Sequence, residues 1–169
     1  MLQLLLTGIK NSANINIENK LSSTLLKLIL LSVLVIWTLG FLQPNLFLQN
    51  DSLTNYFFTK VYSKVCHQES SKCILIGIEH MLVCARCAGI YFGALIAALF
   101  TFFYCIPELR IKVFVIASLP LLLDVCLTFL GVYTYSQTVA FITGLAFGGI
   151  VYVFFLSELE NFFSNKSIK

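Results

Sequence analysis

The chain has 169 residues and a formal net charge of +3; hydrophobic residues make up 59% and charged residues 11%, with a mean hydropathy of +0.90. A soluble globular domain carries about 25% charged residues, so this composition cannot cover a water-facing surface and reads as a membrane protein in a lipid bilayer. The basic residues are scattered, without the block that would indicate a nucleic-acid partner.

Residues 1–24 are expected to be a polar N-terminal lead, since their short apolar start does not read as a signal peptide. A single membrane domain is expected over 25–157, followed by a polar tail at 158–169. Crossing a bilayer takes about 20 mostly apolar residues, and four stretches qualify: about 25–48, 88–106, 111–131 and 136–157. Lys27 can snorkel at the start of the first, and Pro44 is expected to bend or end it. Between the first and second spans, Asp51, Lys60, Lys64, Glu69, Lys72 and Glu79 prevent residues 49–86 from crossing. Within that segment YFFTKVYSKVC interleaves aromatics with lysines, as suits a helix lying in the interface. The expected fold class is an all-α, four-helix membrane bundle with a Cys/His-rich segment between helices 1 and 2.

An even number of spans puts both ends on one side. With the ends inside, seven cytoplasmic Lys/Arg (Lys10, Lys20, Lys27, Arg110, Lys112, Lys166, Lys169) face four outside (Lys60, Lys64, Lys72, Arg86). Positive charge favours the cytoplasm, so both termini are expected there and the cysteine segment on the opposite side. Gly89, Gly93 and Ala97 recur every four residues in the second span; Ala140, Gly144 and Gly148 do so in the fourth. Small residues at that spacing let helix backbones approach closely. These faces are candidates for a helix–helix contact or a homo-oligomer.

The soft, titratable side chains gather in one stretch, CHQESSKCILIGIEHMLVCARC, which runs from Cys66 to Cys87. It divides into Cys66-His67-Gln68, a spacer, and CARCAGIYFG from Cys84 to Gly93. Pro120 and Asp124 stand four residues apart in the third span, and Thr143-Gly144 lies in the fourth. In these motifs and their order the chain resembles a family of bacterial and archaeal membrane proteins, domain of unknown function 2085. The resemblance covers about residues 55–155 and implies a compact multi-pass protein of the prokaryotic inner or plasma membrane, with no activity attached. Two departures stand out: Lys72 and Cys73 occupy the place of the family's Arg-Ser, and Ala140 stands where an arginine is common.

Thiolate and imidazole are good zinc ligands, and C-x-x-C is a frequent half-site because one turn brings both sulfurs to a tetrahedral ion. The core candidates are Cys66, His67, Cys84 and Cys87. Cys66 and His67 are adjacent, so one of the two is expected to bind. If the helix extends upstream, His80 joins Cys84 and Cys87 at i, i+4 and i+7; His80 and Cys73 lie outside the family pattern. The rival chemistry is thiol–disulfide exchange. A C-x-x-C at a helix N-terminus beside Arg86 favours thiolate, with Cys66 or Cys73 as exchange partner. A structural disulfide would also account for the cluster. Asp124 is the one carboxylate inside an expected span, where charge is expensive. Arg86, Tyr91, Asp124 and Thr143 share its depth and are expected to line a polar pocket beneath the cysteines. Cys105 and Cys126 read as small core residues, and the VYTY aromatics as an interface belt. Three functions fit: a metal- or disulfide-knotted protein binding a ligand in that pocket, a membrane thiol–disulfide oxidoreductase using the C-x-x-C pair, or a structural and assembly protein.

Overall fold

The computed structural model describes residues 23–42, 52–76, 79–104 and 111–166. Most of the expected N-terminal lead, and Pro44 with its expected bend, lie outside them. Four described helices are long and apolar enough to cross a membrane: α1 (Ser23–Leu42), α3 (Ala85–Phe103), α4 (Ile111–Phe129) and α5 (Gln137–Lys166), the last crossing with its Gln137–Phe162 portion. The short helix α2 (Ser52–Tyr62) follows α1. Helix α5 runs on through Lys166, so the first part of the expected polar tail is helical. There Glu160 takes a hydrogen bond from Ser23 Oγ at 2.5 Å and an ion pair from Lys27 Nζ at 3.2 Å, tying the end of α5 to the start of α1.

Helices α3 and α5 form the tightest pair because glycine lets their backbones touch. A Cβ on Gly89 would overlap the Phe141 carbonyl oxygen; one on Gly93 would overlap that of Leu145. The relation is mutual: Gly144 rests on the Arg86 carbonyl oxygen and Gly148 on that of Ile90. The small-residue faces are thus used against each other within the chain. Helix α1 packs along the pair, its Leu26, Leu30, Leu31 and Leu34 meeting Ala97, Ala98, Tyr152 and Leu156. Helix α4 lies against α5, with Phe114 between Phe147 and Phe154. Asp124 is the sole buried residue of α4.

The connecting segment carries the one feature that the helical pattern did not announce. A 3-10 turn (Ser70–Lys72) leads into β1 (Cys73–Ile76), which pairs antiparallel with β2 (Glu79–Cys84). The register places Cys73 opposite Cys84 and Leu75 opposite His80, with an irregularity between Cys73 and Leu75. Met81 and Val83 are buried in the core while His80 is exposed, the two-residue period of a strand. Below the hairpin, Tyr62 closes α2 onto α1: its hydroxyl donates to the Trp37 carbonyl at 2.7 Å, and Gly40 leaves room for it. Phe41, Tyr62, Cys66, Met81, Val83 and Ala88 form one buried cluster. The cysteine segment therefore has a core of its own, continuous with the head of the bundle.

Candidate metal centre

Three elements deliver one sulfur each. Cys66 follows α2, its N–H bonded to the Tyr62 carbonyl at 2.9 Å. Cys84 ends β2 and caps α3 in an extended conformation, φ −67° and ψ 160°. Cys87 lies one turn on, so the C-x-x-C spacing turns both sulfurs to the helix N-terminus. The Cys66, Cys84 and Cys87 sulfurs all lie within 4.8 Å of one another. Zinc–sulfur bonds of about 2.3 Å set tetrahedral sulfurs about 3.8 Å apart, so the triangle needs to contract by about 1 Å at most. The donor set fits a soft divalent ion.

Two backbone amides are directed at the Cys66 sulfur, which accepts the Cys84 N–H at 3.2 Å and the Gln68 N–H. Gln68 adopts a positive φ of 51°, rare for a residue with a Cβ, and that turn aims its amide back at the sulfur. Its side chain donates to the carbonyls of Thr59 (3.2 Å) and Leu82 (2.9 Å), pinning the end of α2 to β2. The Cys66 thiol is held well below the usual thiol range, first by hydrogen bonding from Cys84 and next by Cys87. Cys84 moves the opposite way, chiefly because it shares its proton with Cys66. Sulfurs this close do not all ionise unless a cation stands among them.

The two histidines fall elsewhere. His67 is exposed beside Cys66. His80 lies on a strand, not on an upstream extension of α3, which corrects the expected i, i+4, i+7 alignment with Cys84 and Cys87. Four strand positions, about 13 Å of extended chain, separate it from Cys84. Cys66, Cys73, Cys84 and Cys87 are free thiols, with Cys66 and Cys73 buried. Cys126 is also free but exposed on α4, against its reading as a core residue; Cys105 lies outside the described residues.

The expected polar pocket resolves into separate parts. Arg86 and Asp124 do meet: Arg86 Nη2 donates to Asp124 Oδ2 at 2.5 Å. Tyr133 donates its hydroxyl to the other carboxylate oxygen, and Tyr135 presents its ring to the guanidinium at 5.8 Å. Tyr91 instead packs against Trp37 and Phe41, and Thr143 bonds to the Val139 and Ala140 carbonyls of its own helix. A cavity of 240 Å³ lies at the other end of the bundle, lined by Lys27, Thr101, Ser157 and Glu160 among others. Sequence reasoning missed Gln68 and Tyr133 as supports. The CHQ motif held the signal for Gln68; VYTY held none that separated Tyr133 from an interface aromatic.

Fold and site together define a multi-pass membrane protein with a three-thiol cluster at the head of its second spanning helix. The family model described as "Predicted membrane protein (DUF2085)" matches residues 66–155, more than half of the chain, and the chain belongs to that family. The match opens on Cys66 itself. A relative from Methanocaldococcus jannaschii, named "Uncharacterized protein MJ1492", is 28% identical over 138 residues, covering 76% of this chain and 88% of its own. No solved structure matches the chain.

Proposed function

We propose that this protein binds one zinc-like ion through Cys66, Cys84 and Cys87, and that the ion clamps the hydrophilic segment onto the head of α3. The observation that carries this reading is the convergence of three sulfurs from three elements within 4.8 Å. The role is structural: one ion joins the end of α2, the hairpin and α3 beside the buried cluster they share. The seven-to-four distribution of Lys and Arg supports a site on the extracytoplasmic face of the membrane. A second site, for a small hydrogen-bond acceptor, is favoured by one observation. Arg86 Nε and the Tyr135 hydroxyl are buried without a partner among the described residues.

The test is metal analysis of the detergent-purified chain together with thiol labelling. The expected result is about one zinc per chain, with chelator exposing the cluster thiols. Cys66→Ser, Cys84→Ser and Cys87→Ser should each abolish binding, and a double variant should do no further damage. Metal-free protein whose thiols label only after reductant would replace this reading with the thiol–disulfide oxidoreductase. Free labelling without either treatment would end both.

A further inference from the structure

Three sulfurs supply three corners of a tetrahedron, and a closed structural zinc site takes four protein ligands. We infer that Cys73 supplies the fourth, making the site a tetrathiolate; the inference rests on the metal reading of the other three. Cys73 is 2% exposed and pairs directly with Cys84 across the hairpin. Residues opposite each other in an antiparallel pair project to the same face, with Cβ atoms about 5 Å apart. The Cys73 side chain therefore stands on the sheet face that carries a sulfur of the triangle.

The surroundings favour this residue. The ladder is irregular between Cys73 and Leu75, and such irregularities re-aim side chains. The start of β1 is fixed from both sides: the Cys73 N–H bonds to the Ser70 carbonyl. Gln137 on α5 donates its amide to the carbonyls of Ser71 (3.2 Å) and Cys73 (3.1 Å). The Cys73 sulfur is not within the 4.8 Å grouping of the other three, and turning about χ1, which has three staggered wells, is the motion this assignment requires of it. Burial holds the Cys73 thiol up at about 11, with the charges of Cys66 and Cys84 adding to the effect. The Cys73 thiol proton passes to solvent as the metal–sulfur bond forms. The other candidates are worse placed: His67 is exposed next to a ligand, His80 is four positions down the strand, and Glu69 is engaged with Lys72 at 2.6 Å.

The experiment is cobalt(II) loading of the full chain in detergent, read by absorbance, with Cys105→Ser and Cys126→Ser in the background. Cys73→Ser should lower the sulfur-to-cobalt charge-transfer band by about one quarter, as one of four sulfur ligands is lost, and should weaken cobalt binding. His67→Ala and His80→Ala should change neither. If Cys73→Ser fails to elute as a monodisperse species, Cys73→His serves instead: it should keep the tetrahedral d–d bands and lose the same charge-transfer fraction. An unchanged charge-transfer band in whichever Cys73 variant is read overturns the inference, as does a His67→Ala spectrum altered in its place. Failure of the parent to bind cobalt overturns the metal reading itself, and this inference with it.

Discussion

Asp124→Ala probes the link between the cysteine motif and α4. The carboxylate receives Arg86 at 2.5 Å on one oxygen and Tyr133 on the other, and its side chain is 5% exposed against 21% for Arg86. Removing it strands a cation that retains little water and a tyrosine hydroxyl that loses its acceptor. Breaking one partner of a buried pair costs about 3–5 kcal/mol, and two charge-assisted hydrogen bonds at about 1.5–3 kcal/mol each give about 3–6 kcal/mol. Asp124 is also the sole buried residue of α4, which otherwise meets α5 through Phe114 against Phe147 and Phe154. Asp124→Asn keeps an acceptor oxygen for one of the two donors, which sit on different carboxylate oxygens, and should lose about half as much. Arg86→Met/Asp124→Leu removes both charges together and should recover most of the stability, because apolar replacement of a whole buried pair is close to neutral. The assay is SDS titration of protein in dodecylmaltoside micelles, followed through Trp37, the chain's one tryptophan. Asp124→Ala within about 0.5 kcal/mol of the parent, the scatter of ordinary surface changes, would refute the reasoning; so would a double variant as unstable as the worse single.

Neighbouring glycines should behave differently. Gly148→Ala drives a Cβ into the Ile90 carbonyl oxygen and should cost about 2 kcal/mol or more in the same titration, whereas Gly149→Ala finds its nearest neighbour at 3.5 Å and should be silent. Metal loading should depend on pH in a definite sense. Cys66 is depressed and already ionised at neutral pH, while Cys84 is raised. Calorimetry in buffers of different ionisation enthalpy should therefore count one proton released fewer than the number of sulfur ligands, and acidification should expel the metal. Equal numbers of protons and sulfurs would show that Cys66 is not preset. Reporter fusions after Lys112 and after Lys169 should both report cytoplasm; an extracytoplasmic signal from both inverts the orientation.

The spans were legible because apolar length is a one-dimensional property, and the α3–α5 contact because small residues at i, i+4 mark one helix face. Cys66, Cys84 and Cys87 were legible through C-x-x-C spacing and the CHQ motif. Depth in the membrane was a poorer guide than azimuth. Tyr91 lies near Arg86 in depth, but five residues at 3.6 per turn put it about 140° round the helix, facing Trp37 and Phe41 rather than Asp124. The hairpin was hidden because its strands are short and irregularly paired. EHMLVC also satisfied an upstream helix that would have brought His80 to the cysteines. Alternating burial through Met81 and Val83 decided for the strand. Tyr133 reaches Asp124 only because the turn after α4, with Gly131 at φ 69°, folds the chain back, which no local pattern encodes.

X-ray absorption at the metal edge of the purified, full-length protein tests the central claim most directly. A knot built on Cys66, Cys84 and Cys87 predicts a first shell dominated by sulfur at about 2.3 Å. A shell of nitrogen and oxygen alone at about 2.0–2.1 Å would place the ion somewhere other than the three converging thiols and contradict the account.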